Sequence, residues 1–344
     1  MCFSTLSILL ISSAFFNVTS RLHLINLKSF QKIMTAKEDT LPERLRFHGV
    51  HTNILWRNLI SEFFGTFLLC FIGLSIVFQF HAGGGKTTEW IGVNIGWGFA
   101  IMFAVMATAR MSGGHLNPAV SLLLWSLGHL KLAWVPLYAI AQTAGAFVAS
   151  LAMYSYYYGN FHFLIKKGHR KLFSEQFDAF DGGNRTILGA TGTAGCFASY
   201  PSPNLGVWGP YIDQCVGTGV LAYFLCVVID ERNQIPKIWH PMFFGFLVMM
   251  IGTGFGMNIG YPINPARDLG PRLFSYFVYG PGVFHSPYTN YWIAPALAPF
   301  VGALVGGWFY HFSLGMHNPD IEETENAPID QSPKSVEQQK LLQA

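Results

Sequence analysis

Six stretches of the chain are almost purely apolar and are long enough, or nearly so, to cross a lipid bilayer. One crossing needs about 20 mostly apolar residues in a helix. Helices are expected because backbone N–H and C=O groups cannot stay unpaired in hydrocarbon. An even number of crossings puts both termini on the same side of the membrane. The predicted spans are residues 59–80, 91–109, 132–158, 214–229 with a start that extends toward 211, 239–257 and 291–312.

Two further apolar stretches, residues 118–127 and 265–278, are too short to cross. Each begins with a proline directly after an asparagine, an order that favours a helix start because asparagine caps the helix and proline suits its first position. Gly113, Gly114 and Gly260 precede these stretches and permit a tight backbone path. Short helices are tolerated inside a membrane where they are buried or line a water-filled cavity. The pattern therefore indicates a channel or a transporter.

The two half-helices belong to an internal repeat. Asn117-Pro118-Ala119 recurs 147 residues later as Asn264-Pro265-Ala266, and Trp97-Gly98-Phe99 matches Phe244-Gly245-Phe246 at the same offset. Each copy contains two spans, a half-helix and a third span. Because each copy crosses an odd number of times, the second copy is inverted relative to the first. Inverted repeats place the functional site at their interface, near the middle of the bilayer.

These residues resemble a known family. The Asn-Pro-Ala boxes with their flanks, residues 112–120 and 264–268, look like those of the major intrinsic proteins, or aquaporins. Residues 267–272 and 197–201 resemble the animal-type, glycerol-conducting branch, the aquaglyceroporins. The resemblance covers about residues 59–312, and it implies an all-α membrane protein with six transmembrane helices and two re-entrant half-helices, the aquaporin fold. It also implies a homotetramer in the lipid bilayer that passively conducts glycerol and water, extends to urea and other small uncharged solutes, and excludes protons and ions.

Both Asn-Pro-Ala boxes are expected to act at the centre of a pore. Each half-helix N-terminus carries about half a positive charge from its dipole, so two facing N-termini repel cations and protons. Asn117 and Asn264 are expected to cap their helices and to offer an amide donor to a permeating oxygen, with plain capping as the alternative. In the family, carbonyl groups before each box guide the hydroxyl groups of a solute. The predicted carbonyl ladder comprises Gly113, Gly114, His115, Leu116, Gly260, Tyr261, Pro262 and Ile263.

The resemblance places the selectivity constriction at Trp97, Gly252, Tyr261 and Arg267. An arginine inside a membrane is costly and is functional by default. The carbon chain of a polyol is expected to slide along the two aromatic rings while its hydroxyl groups bond Arg267, and Gly252 is expected to leave the width that this needs. The rival interpretations are aromatic residues of the interfacial belt and an arginine that snorkels to the interface.

Two polar residues, Glu62 and Gln214, lie early in the first span of each repeat. A lone buried carboxylate needs hydrogen-bond partners, and the resemblance implies that both residues hold the re-entrant loops from behind. A proton relay through Glu62 is the rival, and it needs a second titratable group along the pore. Further markers of the glycerol branch are Asp268, Arg272, Pro295 and Ala296.

Composition argues against most other classes of protein. Of 344 residues, 51% are hydrophobic and 11% are charged, against roughly 25% charged in soluble domains. The net charge of +3 is too small for a nucleic-acid partner. Five cysteines without paired spacing predict neither a zinc site nor a disulfide framework, and no cofactor or metal is expected. Three alternatives remain: a strictly water-selective aquaporin, a membrane enzyme that uses His115 or Glu62, and an adhesive membrane protein with a closed pore.

Flanking charges predict the orientation. Arg44, Arg46 and Arg57 precede the first span, so this flank is expected in the cytoplasm. Both termini are then cytoplasmic in a multi-pass protein of the plasma membrane. The connection 159–210 lies outside in spite of its basic residues, and its sequon at Asn184 is a candidate glycosylation site.

The predicted organisation has three parts. Residues 1–58 form a cytosolic leader, in which we interpret residues 1–33 as an alternative or spurious extension before Met34. Residues 59–312 form the channel, with repeats at about 59–158 and 211–312. Residues 313–344 form an acidic tail that is expected to be disordered and cytosolic.

Overall fold

The computed structural model describes residues 42, 53–84, 86–157 and 175–320. By internal contacts the chain divides into two units, Met1–Arg57 and Asn58–Ala344, and the cavity and the residues of its wall belong to the second. Residues 1–33, most of the rest of the predicted leader, and the tail beyond residue 320 lie outside the described residues.

Helices joined by loops and short 3₁₀ turns make up the described residues. In chain order the helices are α1 (Ile54–Ala82), α2 (Trp90–Ser112), α3 (Pro118–Ser126), α4 (Val135–Tyr156), α5 (Glu175–Asp181), α6 (Gly209–Ile229), α7 (His240–Phe255), α8 (Pro265–Tyr279) and α9 (Ile293–Ser313). Within the described part of the chain, six helices are long and apolar enough to cross a membrane, namely α1, α2, α4, α6, α7 and α9. The prediction of six spanning helices is confirmed.

Several helix boundaries differ from the prediction by a few residues. Helix α6 begins at Gly209, two residues before the predicted extension to 211, because Pro210 occupies its first turn, where a missing N–H has no intrahelical role. The connection 159–210, expected as a loop, contains helix α5 in its described part. Phe177 of α5 is fully buried and stacks on Phe197. This contact ties the connection to the core.

Glycines bring the helix backbones of the second repeat into close contact. A Cβ at Gly302 of α9 would collide with the Cys215 carbonyl of α6, and a Cβ at Gly306 would collide with the Gly219 carbonyl. In the first repeat, Gly145 of α4 lies against the backbone of α1 in the same way. These small residues therefore serve packing inside one subunit.

The two half-helices enter this helical frame from opposite repeats. Helices α3 and α8 each pack against α4 and α9. Helices α2 and α7, which are the second spans of the two repeats, pack on each other. The half-helices thus carry the Asn-Pro-Ala boxes to the interior.

Candidate functional site

One continuous cavity of about 910 Å³ extends through the interior. Its wall includes one residue from each turn of α2: Val93, Trp97, Ile101, Val105 and Ala109. One end, which we call the arginine mouth, is lined by Gly189, Ser199, Tyr200 and Met257. The other end, the histidine mouth, is lined by His129, Glu231, Lys237 and His240. Both asparagines of the boxes lie on the wall between the two mouths.

The boxes are joined by reciprocal hydrogen bonds. The Asn117 Nδ2 donates to the Ile263 carbonyl at 2.9 Å, and the Asn264 Nδ2 donates to the Leu116 carbonyl at 2.8 Å. The Oδ1 of Asn117 caps α3 by accepting from the Ala119 N–H at 2.9 Å, and Asn264 caps α8 in the same way. Each carboxamide has two N–H donors, so one donor of each is used across the repeat boundary and one remains for a permeant.

The carbonyls that accept these bonds belong to strained residues. Leu116 has φ 52° and Ile263 has φ 39°, a region that non-glycine residues avoid and that is most unfavourable for a β-branched side chain. Such strain costs about 1–3 kcal/mol per residue and persists only where the surroundings enforce it. The side chains press against glycines: a Cβ at Gly65 would collide with Leu116, and one at Gly217 would lie 3.0 Å from Ile263.

Glu62 is buried behind the first loop, where it accepts four hydrogen bonds. Its Oε1 accepts from Ser112 Oγ at 2.6 Å and from the His115 N–H at 3.0 Å. Its Oε2 accepts from the Leu116 N–H and from Gln142 Nε2, both at 2.7 Å. All these donors surround the carboxylate, so its burial is compensated.

Gln214 occupies the equivalent place behind the second loop with fewer bonds. Its Oε1 accepts from the Ile263 N–H at 2.8 Å, and its Nε2 donates to Asp213 Oδ2 at 3.0 Å. Asp213 in turn accepts from Asn258 at 2.8 Å. The two loops are therefore held unequally, by a carboxylate with four donors and by an amide with one.

Arg267 is held on the cavity wall by a ring and a carbonyl. Its Cζ lies 4.7 Å from the centroid of the Trp97 ring, and its Nη1 donates to the Phe197 carbonyl at 3.2 Å. A guanidinium over an indole face is attracted by the ring quadrupole. No acceptor for Nε or Nη2 is found among the described residues, so these donors are available to a solute.

Each ring of the predicted constriction rests on a glycine of a neighbouring helix. A Cβ at Gly73 of α1 would collide with the Trp97 ring, and a Cβ at Gly252 of α7 would collide with the Tyr261 ring. Gly252 is buried behind Tyr261 and is not on the cavity wall. The expectation that Gly252 leaves open space beside the solute is therefore corrected, because the Tyr261 ring fills that space. The ring can lie back from the cavity because Gly252 has no side chain in its way.

A buried ion pair ties α8 to the loop at the arginine mouth. Arg272 and Asp268 are 2.8 Å apart and nearly inaccessible. Asp268 Oδ2 also accepts from the Ser199 N–H at 2.8 Å and from its hydroxyl at 2.6 Å, while Arg272 donates to the Ser199 carbonyl at 2.7 Å. The Arg272 guanidinium lies between the rings of Tyr200 and Tyr291, at 5.0 and 5.6 Å. Because this loop also supplies the Phe197 carbonyl, the ion pair helps to position Arg267.

The family profile described as Major intrinsic protein matches residues 50–310. The chain belongs to the major intrinsic protein family. Human aquaporin-10 is 33% identical over 298 residues, which are 86% of this chain and 93% of the relative. Human aquaporin-9 is 34% identical over 282 residues, 80% of this chain and 90% of the relative. The X-ray structure of the aquaglyceroporin from Plasmodium falciparum superposes with a TM-score of 0.63 at 31% identity, over 74% of this chain and 95% of that one. The predicted aquaporin fold is confirmed.

The remaining predicted residues of this major intrinsic protein take different places. Gly113, Gly114 and His115 line the cavity, as do Gly260, Pro262 and Ile263, whereas Leu116 is fully buried off the wall. Pro295 and Ala296 are buried in the first turns of α9 and do not contact the cavity. Asn184 is exposed in the connection that leads to the arginine mouth.

At the histidine mouth of this major intrinsic protein, an ion pair closes the loop between α6 and α7. Arg232 Nη2 lies 2.7 Å from Asp230 Oδ2, which also accepts from the Tyr310 hydroxyl at 2.8 Å. The hydrogen bonds from Arg232, against the opposing effect of burial, lower the pKa of Asp230 to about 2. The carboxylate therefore stays ionised at physiological pH and holds the loop against α9.

Several residues of the site were not predicted from the sequence. Ser112 and Gln142 complete the shell of Glu62, and Gln142 was detectable as the one carboxamide of the third predicted span. Gly73, which seats the Trp97 ring, gave no signal because glycine is common in membrane helices. The role of the Phe197 carbonyl also had no signal in the sequence, because every residue has a carbonyl group.

Proposed function

We propose that this chain is a passive channel for glycerol and water. The observation that carries the proposal is the cavity wall at Trp97, Tyr261 and Arg267, where two aromatic rings and a guanidinium with unused donors line one passage. A polyol has a carbon side and a hydroxyl side, and this wall offers a surface to each. The names of the relatives, aquaporin-9, aquaporin-10 and an aquaglyceroporin, support the same function.

The centre of the cavity supports the exclusion of protons and cations. Helices α3 and α8 direct their positive N-terminal ends at the point where Asn117 and Asn264 meet the cavity. A water molecule there accepts from the free amide donors and donates outward in both directions. This orientation interrupts a hydrogen-bonded proton wire, and the same field disfavours cations. Urea and other small uncharged solutes carry no net charge and are included among the proposed permeants.

Flux measurements in liposomes test the proposal. Purified full-length protein is reconstituted, and vesicle volume is followed by light scattering after an osmotic step with an impermeant solute for water, or with glycerol or urea. Internal pH is followed with a dye under an imposed potential. We expect water and glycerol permeabilities well above those of empty vesicles, with no added proton flux. Water flux without glycerol flux would indicate the strictly water-selective alternative, and neither flux would indicate a closed pore.

The assembly and orientation are part of the proposal. We infer a homotetramer with one pore per subunit in the plasma membrane, with both termini cytoplasmic and Asn184 glycosylated on the outer side. The side chain of Asn184 is exposed, which supports its glycosylation. Treatment with an endoglycosidase should shift the electrophoretic mobility of the wild type and leave that of Asn184→Gln unchanged. The orientation is tested with epitope tags at the two termini of the protein in intact cells. Antibodies should reach the tags only after the plasma membrane is permeabilised.

The proposed division of the chain is tested by truncation. A chain that starts at Met34 keeps every span and both boxes, and it should insert and conduct like the full chain. Loss of insertion would assign a role to residues 1–33.

A further inference from the structure

Two polar side chains at the constriction carry buried atoms that have no hydrogen-bond partner among the described residues. Asn94 of α2 is 1% exposed, and neither its Nδ2 nor its Oδ1 is paired. The hydroxyl group of Tyr261 is also buried and unpaired. Buried polar groups are normally satisfied by protein or by an ordered water, so three unpaired atoms at one place need an explanation.

Asn94 and the Tyr261 ring meet beside one residue. A Cβ at Gly252 would lie 2.6 Å from Asn94 Oδ1, 2.6 Å from Tyr261 Cε1, and in collision with Cζ, the carbon that bears the hydroxyl. The amide and the phenol therefore approach the same point from two sides. Neither Asn94 nor Gly252 lies on the wall of the main cavity, so this point is separated from the permeation path by the Tyr261 ring.

We propose that Asn94 is a positioning residue for the selectivity constriction, acting through one ordered water bound between its carboxamide and the Tyr261 hydroxyl. The water accepts from the Tyr261 hydroxyl and from Asn94 Nδ2, and it donates to Asn94 Oδ1. These three bonds are the usual number for a buried water, and a carboxamide supplies both the donor and the acceptor. The inference rests on the proposed function, because it assumes that Tyr261 is part of the constriction.

The link sets the position of the Tyr261 ring. The ring also packs on the edge of Trp90, with centroids 6.0 Å apart, and near Gly256, where a Cβ would lie 3.2 Å from Cδ1, but these contacts do not hold the hydroxyl group. With its hydroxyl anchored behind it, the ring presents carbon atoms to the cavity and stays back from it. Without the anchor, the ring is free to swing toward the cavity. A narrower passage then hinders glycerol more than it hinders water.

A double-mutant cycle on permeability tests the link. Asn94→Leu keeps the size of the side chain and removes its hydrogen bonds, and Tyr261→Phe removes only the hydroxyl. Glycerol and water permeabilities are measured in liposomes for each variant and for the pair. Each single change should lower the glycerol-to-water ratio roughly threefold or more, and the pair no further, as expected for residues of one network. Asn94→Ser keeps a donor and an acceptor and should stay near the wild-type ratio.

Ser150→Ala is the matched control. Ser150 is fully buried on α4, bonds the Ala146 carbonyl at 2.9 Å and lies off the cavity, so its loss should leave the ratio unchanged. The inference would be overturned if Ser150→Ala lowered the glycerol-to-water ratio as much as Asn94→Leu does. It would also be overturned if the double variant lowered the ratio by the product of the two single effects. Unchanged ratios in Asn94→Leu and Tyr261→Phe would also overturn it. In that case Tyr261→Ala distinguishes failure of the Asn94 link from failure of the proposed constriction. A changed glycerol-to-water ratio in Tyr261→Ala would show that Tyr261 still belongs to the constriction, and an unchanged ratio would contradict the constriction as well.

Discussion

Replacing Glu62 with glutamine perturbs a buried carboxylate that accepts four hydrogen bonds. The carboxylate accepts two bonds at each oxygen, from Ser112 and the His115 N–H at one, and from the Leu116 N–H and Gln142 at the other. Glutamine keeps one acceptor oxygen. Its amide group would direct hydrogens at two of the four donors.

The cost of this change follows from which donors can adapt. The Ser112 hydroxyl lies 3.0 Å from Ser61 Oγ, and Gln142 can turn its unpaired Oε1 toward the new amide. The backbone cannot adapt, so either the His115 or the Leu116 N–H loses its acceptor. A buried donor without a partner costs about 1–3 kcal/mol, and more where the lost partner was charged. We expect Glu62→Gln to destabilise the folded protein by about 2–4 kcal/mol.

The assay combines stability with flux. Purified variants are heated in detergent, and the midpoint for loss of monodisperse protein is compared with that of the wild type. Surviving protein is reconstituted for water flux. Glu62→Gln should lower the midpoint clearly and reduce flux per inserted channel, because a loosened Leu116 no longer holds its carbonyl toward Asn264. Gln214→Leu, which orphans the single N–H of Ile263, should have a smaller effect, and Ser150→Ala should have little.

Wild-type stability and flux in Glu62→Gln would refute this reasoning. A larger loss of stability in Gln214→Leu than in Glu62→Gln would also refute it. The second loop would then depend more on its single bond to Gln214 than the first loop depends on the four bonds to Glu62.

Three further predictions concern the pore centre, the constriction and the packing. Asn117→Leu and Asn264→Leu each remove a cap and a bond across the repeat boundary; each should abolish water flux in correctly inserted protein, and flux that survives would contradict the pore centre. Gly252→Ala should push the Tyr261 ring toward the cavity and lower glycerol flux more than water flux. Adding Tyr261→Ala should reverse that effect, and a failure to do so would place the constriction elsewhere. Gly306→Leu drives a side chain into α6 and should destabilise by about 1–3 kcal/mol, seen as a lower thermal midpoint, with the glycerol-to-water ratio unchanged; a changed ratio would indicate that this face also shapes the pore.

The spans and the fold were predictable because each follows from a pattern within the sequence. Long apolar runs determine where helices cross, and the repeated Asn-Pro-Ala boxes at one offset predict an inverted pair. Polar residues inside apolar runs, such as Glu62 and Gln214, stand out for the same reason. The predicted start of α6 spread over residues 211–214 because Asp213 and Gln214 interrupt the apolar run, although both belong to the helix.

The interior of the site was less predictable because it depends on which neighbour fills a space. Spacing from the second box places Gly252 at the right level of α7, but it cannot tell that the Tyr261 ring occupies the space that the glycine leaves. Nor can it tell that the Leu116 and Ile263 carbonyls are already bonded across the repeats. Those contacts join residues that are far apart in the chain, and they arise only when the helices pack.

The reciprocal bonds between the boxes also bear on how such a protein originates. Each asparagine donates to a carbonyl of the other repeat, so one repeat alone leaves both its amide and its strained carbonyl without their partners. A half-length ancestor would have needed a second copy inserted in the membrane in the opposite direction to complete the same contacts. Gene duplication and fusion would have made that antiparallel pairing permanent. Two separately expressed halves of the present chain should accordingly recover conduction only when both are made in the same cell.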